Sequence, residues 1–73
     1  MDESAIKKAF GTRVRELRHS KGLSQEELAN HCDLDRTYIG GVERGERNIG
    51  LINMYKIAVA LGVSAKEMFD YER

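Results

Sequence analysis

The stretch Ser24–Gly45, SQEELANHCDLDRTYIGGVERG, reads as two short helices joined by a turn. Ser24 and Glu27 stand at capping-box spacing, in which the serine oxygen takes a first-turn amide and the glutamate reaches back to the serine amide. The helix that follows turns Leu28, Ala29 and Cys32 inward and ends near Asp33. Leu34 is apolar, Asp35 is an N-cap, and Ile39 and Val42 mark the inner side of a second helix that ends at Gly45. Only about three residues separate the two helices, which sets them across one another as a compact pair. Leu28, Ala29, Cys32, Leu34, Ile39 and Val42 then form one buried seam, with Ala29 small where the helices cross. Asp33 takes the turn position where glycine is usual, and aspartate tolerates left-handed backbone better than most residues. Gly40 and Gly41 are unusual here, since each interior glycine costs a helix about 1 kcal/mol relative to alanine.

Helix signals continue on both sides of this pair. Ile6, Phe10, Val14 and Leu17 recur at helical spacing in a first helix that stops before Gly22, with Leu23 as the apolar residue folding back on its last turn. Gly11 lies inside this segment and leaves open a start later than the pattern suggests. The linker GERNIG leads to a fourth helix from about Leu51 to Leu61, closed by Gly62. Ser64 and Glu67 repeat the capping box and begin a fifth helix through Met68 and Phe69. No segment alternates with period two. The expectation is an all-α, compact five-helix domain spanning residues 1–73, with the helix-turn-helix at about 24–45.

The fourth helix carries more apolar surface than one core needs. Leu51, Met54, Ile57, Ala58 and Leu61 make a complete core stripe. Ile52, Tyr55 and Val59 form a second apolar set on another side of the same helix, expected as a dimer interface within a dimerisation segment at about 51–73. The alternative is that the fifth helix folds over them, with Phe69 or Tyr71 as the cover.

Composition narrows the class. A chain of 73 residues forms one small domain and buries only about 60% of its unfolded surface, so its stability comes from packing alone or from packing plus a partner subunit. Charged residues make up 33% and hydrophobic ones 41%, ordinary for a soluble globular domain. There is no proline, no tryptophan and no long apolar run, which argues against a membrane span. The N-terminal MDESAIKK lacks a hydrophobic signal core and gives no reason to expect secretion. Cys32 is the single cysteine, so no intrachain disulfide forms and a reducing cytoplasm is expected. Net charge is zero, but Lys7, Lys8, Arg13, Arg15, Arg18 and Lys21 face only Glu16 between Ala5 and Ser24, while the tail is mildly acidic. A basic front suits a protein that docks one face on an anion; a solvated helix face is the other reading.

From Val14 to Phe69 the chain resembles the phage-repressor-like (Xre) helix-turn-helix proteins, in the motifs RVRELR, GLSQEELA, DRTYIGGVERGERN and KIAVALGVS. DRTYI followed by ERGERN is also similar to the controller proteins of restriction–modification systems. The resemblance implies a DNA-binding transcriptional regulator that binds double-stranded, pseudo-palindromic operator DNA as a homodimer.

It also implies residue roles. On a wheel of 100° per residue, Thr37, Gly40, Gly41 and Arg44 point away from Ile39 and Val42, with Arg36 at the leading end. Both glycines would thin the helix where DNA sits and let its backbone approach closely. Arg36 is the candidate for a base contact, because a guanidinium donates twice to guanine. Thr37 and Tyr38 are candidates for base or phosphate contacts, though Tyr38 lies on the flank and packing is its other reading. Gln25 matches a position that meets phosphate at a helix N-terminus. Arg44, Arg47 and Asn48 are candidate phosphate clamps. Arg18 and Glu43 match a partly buried ion pair joining the first and third helices, with Glu43 about 40° from Ile39 on the wheel.

Enzyme chemistry finds little support. His31, Cys32 and Asp33 are adjacent, and adjacent helical residues do not share a face. Cys32 falls on the apolar seam as an inert thiol, and His19 stands among charges near a helix end. No cofactor, metal or small-molecule ligand is expected. The rival class is a helical protein-interaction domain or an antitoxin-like partner-binding protein with the same fold; salt-dependent binding to duplex DNA discriminates the two.

Overall fold

The computed structural model describes residues 2–71, and within them the chain is helical with no strand. Five helices follow in order: α1 Glu3–Ser20, α2 Gln25–Cys32, α3 Arg36–Glu43, α4 Leu51–Leu61 and α5 Ala65–Met68. Their starts are set locally. The Asp2 carboxylate accepts the Ala5 amide at 2.8 Å, and Asp35 accepts that of Thr37 at 2.9 Å. Both serine capping boxes are closed in each direction, Ser24 with Glu27 and Ser64 with Glu67. Asp33 ends α2 in the left-handed region at φ 58°, so the turn forms without glycine.

The core is one cluster. Phe10, Val14 and Leu17 of α1 meet Leu28, Ala29 and Cys32 of α2, Ile39 and Val42 of α3, Ile57, Ala58 and Leu61 of α4, and Met68 of α5. α3 packs on α1 and α2, α4 covers α2, and α5 closes the end between α1 and α4. Leu23 and Leu34 pack against the cluster from the two turns.

One open reading is decided and two expectations change. The first helix does not begin after Gly11: it runs through it, because Gly11 is where α1 crosses the end of α3. A Cβ on Gly11 would strike the carbonyl oxygen of Val42 and stand 2.7 Å from that of Glu43. Leu51 does not belong to the core stripe of α4. It is the first residue of that helix, 74% exposed, with Met54 half-buried behind it. Ile6 likewise stays exposed at the outer end of α1.

The fifth helix does not cover the second apolar set of α4. Phe69 packs on Phe10 instead, with ring centroids 5.3 Å apart. Ile52, Tyr55 and Val59 are 68%, 69% and 61% exposed. Together with Leu51 they form an exposed apolar stripe on the outside of α4, with Tyr55 and Val59 beside His31 and Cys32 of α2.

Candidate nucleic-acid interface

α3 is held from behind by a buried cation. Arg18 Nε donates to Glu43 Oε2 at 2.7 Å and Nη2 to Oε1 at 2.9 Å, while Nη1 donates to the Leu23 carbonyl at 2.8 Å. The hydrogen bond with Glu43 raises the Arg18 pKa above its ordinary value, against the opposing effect of burial. Gln25, half-buried at the start of α2, donates through Nε2 to Glu43 Oε1 at 3.0 Å. One carboxylate thereby ties α1, α2 and α3 together, and among the described residues no buried side-chain polar atom lacks a hydrogen-bond partner.

The outer face of α3 begins with Arg36 and Thr37, both exposed. Arg44, Arg47 and Asn48 are exposed at its other end and in the loop beyond. Tyr38 is half-buried: its hydroxyl accepts from Asn53 Nδ2 at 3.1 Å, and the Arg47 guanidinium carbon lies 5.0 Å from its ring centroid. Packing against α4 and stacking under Arg47 thus hold the ring, while the hydroxyl proton remains to donate.

Gly40 and Gly41 are not the open groove surface expected of them. Both are buried beneath side chains. Arg44 Nη1 lies 3.1 Å and Gln25 Oε1 3.4 Å from where a Cβ on Gly40 would be; Arg47 Cγ and Nε lie 3.2 and 3.3 Å from that of Gly41. The missing methyl groups make two shallow seats, and the long polar side chains lie in them. No wheel shows this, because the arginines reach back from beyond the helix end.

The basic front also divides. Arg18 is spent inside the ion pair, and Arg13 Nε donates to the Glu67 carbonyl at 2.8 Å, fastening α5 to α1. Cys32 is buried, and burial pushes its thiol pKa up despite the charge of Lys56, as suits an inert core thiol. Among the described residues no group of His, Cys, Asp and Glu side chains is placed to hold a metal ion, and no helix is long and apolar enough to cross a membrane.

Residues 14–68 match the helix-turn-helix family. The chain belongs to that family. Among relatives of this helix-turn-helix protein, control protein C.BamHI of Bacillus amyloliquefaciens is 52% identical over 67 residues, 90% of this chain and 83% of the relative. The crystal structure of the restriction-modification controller protein C.AhdI from Aeromonas hydrophila superposes with a TM-score of 0.88 at 55% identity, covering 89% of this chain and 98% of that one. SinR, a master regulator for biofilm formation solved in complex with DNA, superposes with a TM-score of 0.79 at 29% identity over 84% of this chain and 98% of its own.

Proposed function

We propose that this helix-turn-helix protein is a sequence-specific transcriptional regulator that binds a pseudo-palindromic DNA operator as a homodimer and controls restriction–modification genes. The observation that carries the DNA reading is the outer face of α3. Arg36 and Thr37 stand exposed at its N-terminal end, and Gln25, Arg44, Arg47 and Asn48 surround the rest of it. Recognition helices enter the major groove with their N-terminal residues against base edges, so Arg36 and Thr37 read bases while the surrounding polar groups grip phosphates. Tyr38 adds its free hydroxyl proton at the flank. Gly40 and Gly41 act by seating Arg44, Gln25 and Arg47 across the helix.

The second half of the reading rests on α4. Its stripe of Ile52, Tyr55 and Val59, extended by Leu51, is apolar and uncovered, as an association surface is. Two copies joined there about a two-fold axis present their α3 helices to successive major grooves, about 34 Å apart. The likeness to C.BamHI and C.AhdI supports the assignment to restriction–modification genes.

Selection of bound sites from a random duplex library tests the proposal. The expected product is a two-fold symmetric site, bound with an affinity that falls steeply as salt rises. Recovery of no enriched sequence, or binding indifferent to salt, overturns it.

A further inference from the structure

Arg44 is already occupied. Its Nε donates to Glu46 Oε2 at 2.9 Å and its Nη2 to Glu46 Oε1 at 3.2 Å, a two-pronged pair across the turn that ends α3. The third nitrogen, Nη1, is the one lying over Gly40. The turn itself is fixed: the Gly45 amide donates to Val42 at 3.0 Å, the Glu46 amide to Gly41 at 2.9 Å, and Gly45 is left-handed at φ 77°. Glu46 is therefore anchored by its backbone to the helix whose phosphate-facing arginine it holds. Its pKa is lowered, first by the hydrogen bond from Arg44 and then by the charges of Arg44 and Arg47.

Stability does not account for this placement. A carboxylate at a helix C-terminus opposes the helix dipole. Both partners keep 58% of their side-chain surface, and ion pairs so exposed contribute little.

The geometry points to Glu46 as a competing anion that occupies Arg44 and so weakens the sequence-independent part of DNA binding. This rests on the DNA-binding reading given above. A phosphate offers the same two-oxygen face as a carboxylate, so Arg44 meets DNA by exchanging one anion for the other. The exchange leaves Glu46 unpaired beside the phosphate backbone. A phosphate contact carries no base information, so the penalty falls alike on every duplex and leaves discrimination to Arg36 and Thr37.

The test is titration of a mixed-sequence duplex about two helical turns long, followed by anisotropy over a salt series. The wild-type chain is compared with Glu46→Gln, Arg44→Ala, the double variant, and Asp70→Asn, which makes the same charge change in the exposed C-terminal segment. Glu46→Gln is expected to bind about two- to fivefold tighter, more than Asp70→Asn, with the gain abolished when Arg44 is alanine. A gain no larger than that of Asp70→Asn, or one that persists without Arg44, overturns the competitor role alone. Absence of salt-dependent binding by the wild-type chain overturns both this inference and the DNA-binding reading.

Discussion

Gly11 of α1 lies against the backbone of Val42 in α3 with no room for a side chain between them. Two helical turns further along α1, on the same face, Arg18 clamps Glu43 from behind. The orientation of α3 is thus set at two points: a backbone contact that only glycine permits and an ion pair that its neighbours desolvate.

The three helical glycines should respond oppositely to alanine. Gly11→Ala forces backbone apart and is expected to cost about 1–3 kcal/mol despite the gain in helix propensity. At Gly40 and Gly41 the methyl group meets only flexible arginine and glutamine side chains, which can shift by tenths of an ångström. Each of those variants is expected to gain up to about 1 kcal/mol in urea unfolding while weakening duplex binding, since Arg44 or Arg47 leaves its seat. Unchanged binding in both would show that the seats do not matter to DNA.

The Arg18–Glu43 pair makes a double-mutant cycle informative. Either Arg18→Met or Glu43→Leu strands a buried charge and is expected to destabilise by about 3–5 kcal/mol. The double variant should recover much of that loss, less what Gln25 forfeits as its acceptor disappears. Strict additivity in thermal or urea unfolding would mean that the two side chains are energetically independent.

Readout and grip should separate on DNA. Arg36→Ala is expected to lose about 1–3 kcal/mol on the selected site and to relax its sequence there. Arg47→Ala should weaken every duplex and lower the salt slope by roughly one. Competition titrations on cognate and scrambled duplexes distinguish these outcomes, and identical profiles for the two variants would contradict the division of roles.

Tyr55, at the middle of the exposed α4 stripe, tests the dimer. Tyr55→Asp is expected to give a folded monomer, because the side chain is 69% exposed in the single chain. Its operator affinity should fall about tenfold or more as the second half-site is lost. Sedimentation velocity that finds an intact dimer would place the interface elsewhere.

Acid should destabilise the cap carboxylates. Glu27 is held below its ordinary 4.5 by the Ser24 amide and hydroxyl, and Asp35 below 3.8 by hydrogen bonds from Thr37. A folded pKa below the unfolded one gives stability that is complete above the unfolded value and lost as pH falls through the folded one. Melting temperature is therefore expected to hold near neutrality and to fall below about pH 4.5, with a shallower acid loss in Glu27→Gln. An equal acid loss in that variant would show that Glu27 is not the titrating group.

Local chemistry made much of this protein readable from residues alone. Ser24 with Glu27, Asp35, and Ser64 with Glu67 start their helices through bonds spanning two or three residues, so their effect does not await the fold. Asp33 at the turn and the inward run from Leu28 to Val42 are equally short-range, which is why the helix-turn-helix and its seam are legible as a string. Tertiary structure decided what depends on neighbours distant in sequence. Gly11 reads as a helix breaker until Val42 arrives, 31 positions later, to need its bareness. Gly40 and Gly41 read as open surface until Arg44 and Arg47 fold back over them. Leu51 fits the core period of α4 but lies at the helix start, where no other element reaches to cover it. Periodicity states which residues share a face; only the packed chain states what that face meets.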